Sequence, residues 1–391
     1  MLQSYKQYFK LEYIFLFLVA FEFLNKTNYI ILLFFLYLLF RYGFNSKVLS
    51  NTYFPCIAIF SVSYFIFGGN TISFSDPFVW MASYYIGIII CSKKKNIPYT
   101  ALFVIIGIAS ALNGALIYIN FNQVVEFGAR VTYNLWGEIR AGTSSACSFL
   151  IYSGVLYSLL CNDNIKKWIK LILIAIIVFI PLNAILISSR SALLYPFIIF
   201  VISYLPTINK KNISTRIMFL LMLLAILAIT YFTNFCGIKS YFESTFLYER
   251  FENKDDGGII DNSRFGIWEN KLDMIISNFW GGGIQSYGTN VYMHNTILDT
   301  IAYGGFPTAV ILAVFMLHNI NNVIYVFKRT ISLSEKSCLI GVTTSFYIIF
   351  MFEPIIQAAN WFFCLYIFFA AVIDRQKRNI KLHRYNNQIQ K

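Results

Sequence analysis

The chain has 391 residues, of which 58% are hydrophobic, with 40 Phe and 27 Tyr; this exceeds what a soluble domain of that length carries and excludes one. The formal net charge of +13 raises a nucleic-acid partner. The basic residues instead sit in short segments alternating with apolar runs, so the excess charge reports topology and argues for a lipid bilayer and against nucleic acid.

A helix needs roughly 17–25 mostly apolar residues to span a bilayer. Such runs fall at 12–24, 28–40, 54–68, 77–91, 99–119, 143–161, 168–188, 191–206, 217–233, 296–317, 338–352 and 355–373. The expectation is an all-α polytopic membrane protein of about 12 transmembrane helices, with one long outer loop between helices 9 and 10. The first run follows Lys6 and Lys10 without a small-x-small cleavage pattern, so it reads as a retained span. With the N-terminus in the cytoplasm, the inside segments carry Lys6 and Lys10, then Arg41 and Lys47, Lys93 to Lys95, Lys166, Lys167 and Lys170, Lys210, Lys211 and Arg216, and Lys328, Arg329 and Lys336. The tail adds Arg375, Lys377, Arg378, Lys381, Arg384 and Lys391. Every inside segment is basic, which places both termini in the cytoplasm.

Four parts follow: spans over 1–233 with a smaller outer loop near 120–142, a long outer loop at 234–293, spans over 294–374, and a basic cytoplasmic tail at 375–391. Of the seven cysteines only Cys236 lies clearly in an outer segment, and no Cys/His spacing resembles a metal site.

Outer loops longer than a turn usually have a task. The first holds Glu126, Arg130, Glu138 and Arg140. Arg190 follows in "ILISSRSALLYPF", between two apolar runs with almost no linker and with Ser188, Ser189 and Ser191 around it. Such a turn fixes a donor fork, although an arginine at a helix end also simply snorkels to the headgroups.

In the long loop, "DNSRFGIWENKLDMIISNFW" reads as a helix capped by Asp261, Asn262 or Ser263, with an apolar stripe of Phe265, Trp268, Leu272, Ile275, Ile276 and Phe279, and "WGGGIQSYG" breaks it. Arg264 opens this helix, and arginine beside a helix N-terminus suits an anion such as phosphate. The plainer alternative is a solvated arginine paired with Asp261 or Glu269.

The loop ends at "HNTILDTIAYGGF". Of the three histidines, His318 is expected at a cytoplasmic helix end and His383 in the tail, so His294 alone faces outward. Asn295 reads as the cap of the next helix, with Asp299 one turn further in. A lone interfacial histidine is commonly a cap or a headgroup contact; it also has the chemistry of a general base or a donor near neutral pH.

The order "SSRSALL", a long outer loop, "NSRFGIWENKLDMIISNFWGGGIQSYG", then "HNTILDTIAYGGF" resembles the O-antigen ligase and O-antigen polymerase superfamily of bacterial envelopes, over residues 188 to 305. Each element is short and degenerate, and the ordered set carries the likeness. It departs from the family's "SRgA" turn at Ser191, where the family has glycine.

The resemblance implies a GT-C-like glycosyltransferase in the bacterial inner membrane, working at the periplasmic face without nucleotide sugar, metal ion or other cofactor. It implies an undecaprenyl-pyrophosphate-linked glycan as donor and an acceptor glycan, with a chain-length regulator as a candidate partner. Arg190 and Arg264 match the arginines that bind pyrophosphate, and His294 the histidine near the reacting centre, as base or as phosphate ligand. Asn295, Glu126, Arg130, Arg140 and Glu138 are weaker candidates for glycan or phosphate contact, with Glu138 also an alternative base.

The chemistry agrees with these roles. Breaking an anomeric C–O bond builds negative charge on the departing pyrophosphate, and two arginines offer fixed bidentate forks there.

Ligase and polymerase share donor chemistry, so these residues do not separate them. The richness in Phe, Ile, Asn and Lys suggests an AT-rich coding sequence and tips the reading to a polymerase. A lipid-linked oligosaccharide flippase is a further alternative, but it should carry charges inside several helices.

Overall fold

Each apolar run holds a helix, because uninterrupted Leu, Ile and Phe leave the backbone no polar competitor for its own hydrogen bonds. A computed structural model describes residues 11–44, 49, 52–68, 73–93, 99–121, 131–140, 146–162, 165–208, 213–245, 247–249, 273, 276, 279–282, 293–330 and 332–389.

The helices are α1 (Leu11–Ala20), α2 (Thr27–Tyr42), α3 (Phe54–Gly68), α4 (Asp76–Lys93), α5 (Tyr99–Phe121), α6 (Leu150–Leu160), α7 (Lys167–Ile176), α8 (Phe179–Leu186), α9 (Arg190–Tyr204) and α10 (Ile213–Phe232). They continue with α11 (Ile238–Glu243), α12 (Thr296–Phe327), α13 (Leu333–Phe350), α14 (Ile355–Ala358) and α15 (Asn360–Ile389). Among the described residues, four stretches are long and apolar enough to cross a bilayer: Tyr99–Tyr118, Lys167–Leu186, Arg190–Thr207 and Thr296–Phe327. Exposed Phe40, Leu33, Leu171, Leu221 and Leu317 suit a hydrocarbon surrounding. The chain is a helical membrane protein.

Among the described residues one antiparallel hairpin interrupts the helices: Val131–Asn134 (β1) pairs with Gly137–Arg140 (β2) in the first loop. Trp136 at its turn packs edge-on against Phe23, 4.9 Å between ring centres, over the link from α1 to α2.

Lipid offers helices no hydrophobic drive to associate, so small residues and hydroxyls set the contacts. A Cβ built on Gly154 of α6 would lie 2.6 Å from the carbonyl carbon of Gly341 in α13. The Ser345 hydroxyl of α13 donates to Leu150 O, and Ser337 to Ser203 O of α9. In the same way Gly87 of α4 admits Ala371 of α15, 2.7 Å from where a Cβ would stand.

Three helices differ from their sequence expectation. The run at 168–188 divides into α7 and α8; Pro181 lacks the N–H that would bond the Ile177 carbonyl, and the helix breaks there. The run expected at 296–317 continues to Phe327, so His318 lies inside α12 and not at a helix end. Its polar run is tolerated because Asn322 is satisfied: its amide nitrogen lies 2.8 Å from His318 Nε2, and its oxygen accepts from Lys377 Nζ at 2.5 Å. The last helix, expected to end at 373, runs on as α15 from Asn360 to Ile389.

α12 is also broken. Gly305 has φ 81° and ψ 165°. Pro307 has no N–H for the Tyr303 carbonyl, which accepts from Gly282 N instead at 3.0 Å, while Phe306 N donates to Phe279 O at 2.8 Å. The end of the long loop is thus hydrogen-bonded into the gap in the helix.

Candidate functional site

His294 precedes the N-cap of α12 and takes a left-handed backbone, φ 51°, a conformation that costs energy for a residue with a side chain. The local sequence holds it there. Asp299, fully buried, accepts from the amides on either side of His294, Met293 N at 2.6 Å and Asn295 N at 3.1 Å. Asn295 Oδ1 accepts from Ile297 N and Leu298 N at 3.0 and 3.1 Å, capping the helix.

Two further bonds strap this turn to the link between α13 and α14. Asn295 Nδ2 donates to Met351 O at 3.2 Å, and the Thr296 hydroxyl to Glu353 O at 3.0 Å. The strap sets the His294 ring against the Glu353 carboxylate, Nδ1 to Oε2 at 3.7 Å, with the histidine side chain 30% and the glutamate 8% exposed.

Arg190 opens α9. The α8 helix closes with Ser188 in the left-handed region, φ 50°, and with Ser189 N bonded back to Ala184 O at 3.0 Å. Ser189 then caps α9 by accepting from Ala192 N at 3.3 Å and lies 2.9 Å from the Ser191 hydroxyl. Arg190 is therefore the first residue of a helix, half-buried, where free amides and the positive dipole end add to its charge.

α9 runs antiparallel to α13, and Tyr195 stacks on Phe352 with 5.6 Å between ring centres. Phe352 adjoins Glu353, and Arg190 stands five residues before Tyr195, about 7.5 Å along the helix. His294, Asn295 and the Arg190 turn thus share one end of the bundle.

The same end is lined by buried and half-buried polar groups. Glu22 accepts from Asn113 Nδ2 at 2.8 Å, and Asn183 Nδ2 donates to Gly114 O at 2.8 Å. Gln357 donates to the Tyr64 hydroxyl at 2.6 Å. Asp76 accepts from Asn28 and Asn360 at 2.7 and 3.0 Å, and Asn360 also accepts from Trp80 Nε1. These hydrogen-bonded carboxylates and amides make one end of the bundle polar within an apolar surround, which makes that end the candidate site for a polar ligand.

Glu138 and Arg140 lie in β2, where Tyr133 pairs with Glu138 and Val131 with Arg140; only their backbone is described. Glu126, Arg130 and Arg264, with most of the expected loop helix, lie outside the described residues. Glu353 is the residue that sequence reasoning missed. Its signal was a carboxylate followed by proline in the two-residue link between apolar runs, on the same side as His294.

No curated protein matches the chain. Residues 172–313, from α7 into the second half of α12 and including Arg190, Arg264 and His294, about a third of the chain, match the family model described as O-antigen ligase.

Proposed function

We propose that the chain is a surface-polysaccharide polymerase that joins undecaprenyl-pyrophosphate-linked repeat units at the periplasmic face of the inner membrane. The observation that carries this reading is that one matched segment, 172–313, contains Arg190, Arg264 and His294 in order. In this scheme twelve spans place both termini in the cytoplasm, and the end of the bundle with His294 faces the periplasm.

The donor's pyrophosphate lies against the Arg190 fork and the free amides of α9, with Arg264 as the second fork. Their charge is fixed in place before the anomeric C–O bond breaks, so the transition state gains more than the ground state. The acceptor hydroxyl approaches His294. Arg140, Arg130, Glu138 and Asn295 are secondary candidates for glycan contact.

The description of the matched family favours a second reading, in which the same donor chemistry transfers a glycan to lipid A–core. Envelope glycan from a deletion strain, resolved on a gel, separates the two. A single repeat unit on core identifies a lost polymerase, and core without any repeat unit a lost ligase. An unchanged ladder overturns both.

A further inference from the structure

We propose that Glu353 is a positioning residue for His294 that makes it the general base of the transfer, not a ligand of the phosphate. The inference rests on the glycosyl-transfer reading above and deepens it.

Three observations carry it. First, the pairing is built into the backbone: Thr296 and Asn295, the two residues after His294, bond to the carbonyls of Glu353 and Met351. These two bonds tie the His294 turn to the Glu353 turn. Second, His294 stays in a left-handed conformation that Asp299 stabilises from both flanking amides. A strained backbone with such support signals that the ring direction matters. Third, Nδ1 is buried and has no hydrogen-bond partner, while Glu353 Oε2 stands 3.7 Å away. A small side-chain shift closes that gap, as catalytic hydrogen bonds often do once substrate is bound.

A buried carboxylate on one face of an imidazole decides what the other nitrogen does. It holds the proton on Nδ1 and leaves the Nε2 lone pair free to accept one. It stabilises the imidazolium that forms, and it repels a phosphate brought to the same ring. Glu353, from the α13–α14 link, stands 3.7 Å from Nδ1, and its negative charge disfavours an anion on the same ring.

The step balances as follows. The acceptor hydroxyl gives its proton to Nε2, and its oxygen forms the new bond to the anomeric carbon. The bond from that carbon to the pyrophosphate oxygen breaks, and its electron pair leaves on the pyrophosphate. The imidazolium then returns its proton to the released pyrophosphate or to water.

The test uses the full chain in detergent, labelled with ¹⁵N-histidine, the His294 signal being assigned by its loss in His294→Gln. Neutral imidazole alone favours the proton on Nε2. The proposal expects the Nδ1–H tautomer in the wild type and reversion to Nε2–H in Glu353→Ala. An Nε2–H tautomer in the wild type overturns the pairing, and this readout needs no turnover.

Turnover is then measured with the lipid-linked repeat unit isolated from a strain lacking this chain. Glu353→Gln is expected to lower kcat about 10- to 100-fold, part of the ~10²–10⁴-fold that a general base contributes. KM for the donor should stay within about twofold, and Glu353→Asp should recover part of the rate. Unchanged kcat in Glu353→Gln overturns the proposal, as does a loss confined to donor KM. A wild type with the paired tautomer but no polymerisation would instead count against the functional reading alone.

Discussion

Gly281 and Gly305 meet backbone to backbone: a Cβ on Gly281 would stand 2.5 Å from Gly305 N, and a Cβ on Gly305 2.6 Å from Trp280 O. Both residues have positive φ, 87° and 81°. The contact joins the end of the long loop to the break in α12, about ten residues past His294, so it couples the loop that carries Arg264 to the helix that positions the histidine.

Alanine at either glycine should separate the two segments, since it adds both an overlap and backbone strain on the order of 1–3 kcal/mol. Gly281→Ala and Gly305→Ala are expected to lower the thermal unfolding midpoint in detergent and to shorten the glycan ladder in complemented cells. Because the shared contact can be lost only once, the double variant should lose less than the sum of the two single ones. Additive losses would show that the two glycines act separately.

Pro307→Ala tests the same junction from the helix side. The restored N–H competes with Gly282 for the Tyr303 carbonyl and favours a continuous helix. The expected outcome is unchanged or higher helix content by circular dichroism, with faster tryptic cleavage in the loop, whose sites include Lys254, Arg264 and Lys271. Unaltered cleavage would mean that the proline does not free that carbonyl for the loop.

The clamp around His294 gives a third prediction. Asp299→Asn turns one of the two oxygens that accept backbone amides into a donor and leaves that N–H unpaired, which should cost about 1–3 kcal/mol of stability. Asn295→Ala removes the helix cap and should cost about 1 kcal/mol. Activity is expected to fall further than these losses account for, because both variants release the left-handed turn at His294. Thermal unfolding and glycan transfer measured on the same preparations decide this; activity that merely tracks stability would reduce the clamp to a structural cap.

Much of this was legible in the sequence, for identifiable reasons. Long apolar runs bounded by lysines specify helices without tertiary information, and Asn295 followed by an apolar period announces a cap. What escaped depended on partners distant in sequence. Asn319 and Asn322 look like a helix end until α15 brings Lys377 to Asn322. Gly305 and Pro307 look like tolerated interruptions until Phe279 and Gly282 arrive to take the freed backbone groups. Glu353 looks like a link residue until the Thr296 hydroxyl ties its carbonyl beside His294. Spacing along the chain does not encode which turns meet at the end of a bundle.

The arginines provide the last prediction. Ser189 caps α9 and makes Arg190 its first residue, so an anion bound at that turn would meet both the arginine and the helix amides. Lysine at that position keeps the positive charge and loses the planar fork. If the role is bidentate stabilisation of a leaving pyrophosphate, Arg190→Lys should be nearly as damaging as Arg190→Ala, and the same should hold for Arg264. By analogy with removing one preorganised donor, each loss should be about 100- to 1,000-fold in rate, or ~2.7–4 kcal/mol. The losses should appear mainly in kcat, because the charge to be stabilised grows only as the bond breaks. Initial rates with the lipid-linked donor check this. Full activity of both lysine variants would leave only a diffuse positive potential, which is what an arginine snorkelling to headgroups supplies, and would remove these residues from the chemistry.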